Sequence, residues 1–102
     1  MKYIISKEQQ EMVSNAISNL VKLHFSESTW ICDIVVYPTE TDEDEALFDI
    51  YVYLKLSELK KYNESAQNSI SLTIRHKVQD FVEDWFSFKS EQIYVGSLAK
   101  DC

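Results

Sequence analysis

The pattern of the sequence predicts an α+β fold. It reads as a two-layer sandwich of order α-β-β-α-β, with a mostly antiparallel three-stranded sheet and two helices covering one face. Three observations carry this. Apolar residues recur at helical spacing in two long segments. Two runs rich in β-branched and aromatic residues flank a polar connection, and a third such run follows the second helical segment. The length, 102 residues with 45% hydrophobic, corresponds to a single globular domain spanning 1–102.

The first helix is expected to start at Ser6, which stands at capping-box spacing from Gln9. Met12, Val13, Ala16, Ile17, Leu20, Val21 and His24 then form one stripe, ending the helix near residue 24. Thr29–Tyr37 and Leu47–Leu56 read as strands, joined by the polar hairpin loop 38–46. A symmetric hairpin pairs Val36 with Phe48, Ile34 with Ile50, Cys32 with Val52 and Trp30 with Leu54, all apolar, which puts that face on the core. The other face then carries Asp33, Val35 and Tyr37 on one strand, and Asp49, Tyr51, Tyr53 and Lys55 on the next.

Between Ser57 and Ser87 two readings compete. Ala66, Ile70, Ile74, Val78, Phe81, Val82 and Trp85 make a long helical stripe, so a helix is expected over 65–86, preceded by a short helical turn after Ser57. Leu72 falls off that stripe, and residues 69–74 alternate like a strand, which leaves a fourth strand there as the alternative. Gln92–Ser97 reads as the closing strand, with Ile93 and Val95 inward and Tyr94 outward. A crossover from the second strand would run it parallel to that strand, in an expected strand order 2-1-3.

Composition narrows the chemistry. The chain has one glycine (Gly96) and one proline (Pro38), where average usage would give about seven and five. Phosphate-binding loops, dinucleotide fingerprints and G-x-S-x-G elbows are thereby excluded. The net charge is −7, and Arg75 is the one arginine among ten basic residues. Direct nucleic-acid binding requires clustered cations, and anionic membranes are disfavoured on the same ground. The apolar run at the N-terminus is too short for a signal peptide, and no run approaches the ~20 residues of a membrane span; the expectation is a soluble cytoplasmic protein. Cys32 reads as a small buried hydrophobe and Cys102 as a fraying end, two cysteines being no disulfide framework. No metal site and no cofactor are expected. His24 and His76 are far apart in sequence, and His24 suits the negative end of the first helix dipole.

Two features suggest function. Glu40, Asp42, Glu43, Asp44 and Glu45 crowd five negative charges into one loop, a cluster that repels itself unless a basic partner or solvent neutralises it. Its spacing fails the calcium-loop pattern, since Leu47 occupies the glycine position when Asp42 is taken as the first ligand. Tyr37, Tyr51 and Tyr53, with Tyr94 beside them, set phenol rings among Asp33 and Asp49 on the outward sheet face. Tyrosine suits interfaces because it buries a large area and keeps a polar tip. Asp33 and Asp49 would be diagonal neighbours there, but an open sheet gives a carboxylate pair no desolvation to separate their acidities.

The sequence therefore points to a small, acidic, non-enzymatic protein-binding module. Its class would be an inhibitor or immunity-type protein engaging a basic partner such as a nuclease through Glu40, Asp42, Glu43, Asp44, Glu45, Tyr37, Asp49, Tyr51 and Tyr53. The alternative is a structural or regulatory homodimer formed through the tyrosine-rich face.

Overall fold

The computed structural model describes residues 7–39, 47–89 and 92–102. The element order is α1 (Lys7–His24), β1 (Ile31–Pro38), β2 (Phe48–Lys55), α2 (Leu56–Leu59), α3 (Glu64–Phe86) and β3 (Ile93–Lys100). The α+β class and the three-stranded sheet are as expected. Residues 69–74 are helical, which disposes of the fourth strand. The 3.6-residue stripe through Ile70, Ile74, Val78 and Phe81 finds an apolar sheet to pack on, while Leu72, off that stripe, stays exposed. Ser6, the expected cap of α1, lies outside the described residues.

Each helix is anchored by a narrow strip. Ile17 and Val21, one turn apart on α1, are fully buried, while Met12 and Ala16 fall on the exposed flank of the expected stripe. On α3 the buried residues are Ile74, Val78, Phe81 and Val82. Trp85, expected to join them, is 63% exposed, resting its ring against Phe81 at the margin of the contact. Asn63 caps α3, its Oδ1 accepting a hydrogen bond from the Ala66 amide at 2.8 Å. The helix stops at Ser87 in the left-handed region, φ 55°, a conformation for which glycine is the favoured residue.

β2 is the centre of the sheet. Phe48, Ile50, Val52 and Leu54 alternate along it and are all buried to 1% exposure or less, facing α1 and α3. β1 pairs with β2 antiparallel and β3 pairs with β2 parallel, in the order β1-β2-β3. The sheet is thus mixed, and the expected order 2-1-3 is corrected. The crossover through α3 does return the chain parallel to β2, but directly beside it. Strand β1 suits an edge: Pro38 has no N–H to offer a second neighbour, and Asp33 makes an ion pair with Lys22 of α1 at 3.5 Å.

The hairpin keeps the expected faces but not the expected register. Ile34 lies opposite Val52, Val36 opposite Ile50 and Pro38 opposite Phe48, a slip of two residues that preserves the inside–outside alternation. The alternation then breaks at Cys32. A bulge between Ile31 and Asp33 sets Ile31 opposite Leu54, giving β1 one extra residue against its partner.

The bulged cysteine is not a free hydrophobe, and Cys102 does not end loose. The two form a disulfide across a sequence separation of 70, with Cα atoms 6.4 Å apart. β1 and β3 are the two edges of the sheet, about 10 Å apart with β2 between them, so the two residues after Lys100 carry the chain past the end of β2 to reach the bulge. The bond ties both edges together where no backbone ladder can. Closing so long a loop removes about 4 kcal/mol of chain entropy from the unfolded state. Reduction, or Cys32→Ser, is expected to lower the thermal midpoint by roughly 15 °C. A melt with and without reductant checks this, and equal midpoints would show that the bond adds nothing to the ladders.

Candidate functional site

Alternation along three paired strands fixes what shares the outer face. Going along the sheet, Tyr37, Asp49 and Tyr94 form one row across the three strands, and Val35, Tyr51 and Gly96 the next. Asp33, Tyr53 and Leu98 form a third row, and Lys55 stands beside Lys100 at the far end. Among the described residues both long helices lie against the opposite face, where the core sits. Tyr37, Tyr94 and Leu98 are each about half exposed, while Tyr51 and Tyr53, on the central strand, are half-buried by their neighbours.

The rings touch. Tyr51 makes edge-to-face contacts with Tyr37 at 6.0 Å and with Tyr94 at 6.2 Å between centroids, the arrangement that aromatic quadrupoles favour. Gly96 makes this possible. A Cβ there would stand 3.2 Å from Tyr94 Cε1 and 3.3 Å from Tyr51 Cδ1, so the glycine leaves room over which both rings lean. Asp49 sits within this group, and its charge is the foremost cause that pushes the Tyr51 phenol above its ordinary pKa, followed by burial and the neighbouring tyrosines. At the other end Lys100 Nζ stands over the Tyr53 ring, 5.3 Å from its centroid.

The two carboxylates expected as diagonal neighbours are separated. The register slip sets Asp33 beside Tyr53 and Asp49 beside Tyr37, two rows and roughly 13 Å apart along the strands. Asp33 is engaged locally, by Lys22 and by the Ile34 amide, which donates to its Oδ1 at 2.8 Å. No shared proton or bridged ion can join carboxylates so placed. Among the described residues no cluster of histidine, cysteine or acidic side chains is placed to hold a metal. His24, expected to serve the α1 dipole, also stacks on Phe81 at 4.1 Å. His76, Gln79, Asp80 and Glu83 line an open depression on α3. No helix among the described residues is long and apolar enough to cross a membrane.

Glu40, Asp42, Glu43, Asp44 and Glu45 lie outside the described residues, but the base from which their loop leaves is defined. The Thr39 amide donates to the Leu47 carbonyl at 3.0 Å. Gln10 of α1 then donates its side-chain amide to both Thr39 O and Leu47 O, at 3.1 Å each. The Leu47 amide is held in turn by the Gln92 carbonyl. The loop therefore departs from a fixed point beside Tyr37 and Asp49. Sequence reading missed Gln10, for which periodicity carries no signal. It also passed over Gly96, whose being the single glycine was the available cue.

No known protein-family description matches the chain, and no characterised protein is recognisably similar to it in sequence.

The Asp49–Tyr51 relation is testable by ultraviolet titration. One tyrosine should ionise above the ordinary value of 10.0, and Asp49→Asn should bring it down. The unfolded chain releases this proton first, so stability should fall as the pH rises from 10.0 towards the folded value. A titration unaltered by Asp49→Asn would assign the shift to burial instead.

Proposed function

We propose that this chain is a non-enzymatic protein-binding module, an inhibitor or immunity-type protein that engages a basic partner such as a nuclease. The observation that carries the reading is the outer sheet face. Tyr51 contacts both Tyr37 and Tyr94 there, Asp49 lies between the latter two, and none of the described elements covers them. A monomer that exposes a cluster of rigid aromatic side chains around a carboxylate has the makings of an interface centre, where such residues concentrate binding energy. The acidic loop Glu40, Asp42, Glu43, Asp44 and Glu45 leaves from the edge of that face. It would steer a cationic surface towards the rings, raising the association rate more than the final affinity. Carboxylates would then stand where a nucleic-acid-handling partner expects phosphates. With −7 net and a single arginine, the same surface would repel nucleic acid itself.

Leu98 and Tyr94, both half exposed on an edge strand of that face, favour a second reading, a homodimer through the tyrosine-rich surface. As to compartment, the disulfide supports an oxidising one over the cytoplasm expected from the sequence, since such bonds are rare where thiols are kept reduced.

The test is retention of basic proteins from native lysate at low and high salt, followed by association kinetics with what is retained. The joint substitution Asp42→Asn, Glu43→Gln, Asp44→Asn and Glu45→Gln should slow association and flatten its salt dependence with the circular dichroism unchanged. Binding indifferent to ionic strength would refute the reading. A dimer in sedimentation that Tyr51→Lys dissociates would favour the second.

A further inference from the structure

We propose that Asp49 with the rings of Tyr37, Tyr51 and Tyr94 forms a receptor for a single guanidinium group, an arginine side chain of the partner. The inference rests on the basic-partner reading and gives it a chemical centre. Tyr37 and Tyr94 are the direct cross-strand neighbours of Asp49, one on each side, at a spacing of about 5 Å between Cβ atoms. Tyr51, two residues along β2, closes a third side through its contacts with both rings. The space above Gly96 lets Tyr51 and Tyr94 lean together rather than splay. The result is a carboxylate flanked by three aromatic rings.

Among the described residues Asp49 has no ion pair and no side-chain hydrogen bond, whereas Asp33 on the same face has both. Among the described residues no cation supplies the missing partner. Lys100 is engaged over Tyr53, and Lys55 stands with it three rows away from Asp49. What fits is a cation that can stack on an aromatic face and also hydrogen-bond a carboxylate. A guanidinium does both, being planar, weakly hydrated and able to donate two parallel bonds, while an ammonium offers only a compact charge.

Short oligo-arginine and oligo-lysine peptides are the probes, with calorimetry for affinity and NMR for location. Oligo-arginine should bind more tightly and shift the Asp49 amide and the Tyr37, Tyr51 and Tyr94 ring signals. Asp49→Asn, isosteric on an outward face, should weaken oligo-arginine by about tenfold and erase its advantage over oligo-lysine. Asp33→Asn removes the same charge from the same face two rows away and should keep that advantage, and an unchanged circular dichroism of Asp49→Asn controls for a damaged sheet. If oligo-arginine binds in a salt-dependent manner but Asp49→Asn changes nothing, the receptor is overturned and the basic-partner reading stands. If the wild type binds neither peptide, both fall.

Discussion

A strand with a neighbour on each side and helices beneath it has one face left to show, and β2 is that strand here. Its inward residues, Phe48, Ile50, Val52 and Leu54, are the most completely buried run in the described chain. Burying such side chains gives roughly 1.5–3 kcal/mol each, far more than any surface ion pair provides. That gain fixes the parity of the sheet. Once parity is fixed, Asp49, Tyr51, Tyr53 and Lys55 have to face away from the helices, and the neighbours of β2 complete the rows around them. The properties of the outer face follow from the demands of the inner one.

The same face has a direction. Asp49 and the departure of the acidic loop mark one end, Lys55 and Lys100 the other, and the aromatic rows lie between them. Tyrosine bridges these demands, since its ring packs on a neighbouring ring while its hydroxyl stays hydrated. Leucine or isoleucine at the same positions would expose an apolar patch with no polar tip, the composition that promotes nonspecific association. Gly96 belongs to this economy of space: the one residue without a side chain sits under the rings of Tyr51 and Tyr94.

Much of this was legible in the sequence because it depends on period. Alternation in 48–55 and the 3.6-residue stripe of 70–82 each specify an element and a face together, and those elements stand as read. What escaped depends on relations between elements. The register slip could not be read because Val36 meets an isoleucine as readily as a phenylalanine, so the apolar pairs look alike in either register. The strand order escaped because β3 can lie beside β1 or β2 with identical sequence. Trp85 fits the periodicity of α3 but is 63% exposed, with only its ring resting on Phe81. The cysteine pair was missed for a different reason. In either strand order the start of β1 and the end of β3 fall at one end of the sheet, so topology already brought Cys32 and Cys102 together, and only their low number argued otherwise.

The Cys32–Cys102 bond turns most of the chain into a closed covalent ring. Every residue from Cys32 to Cys102 lies on that ring, which takes in all of the first strand but Ile31, the acidic hairpin, both later helices and the last strand. A protease that severs one peptide bond anywhere within it opens the circle without releasing a fragment. The nicked molecule would keep its parts at high effective concentration and would come apart only on reduction. The most charged stretch of the chain can therefore be cut once without separating the two strands that it joins.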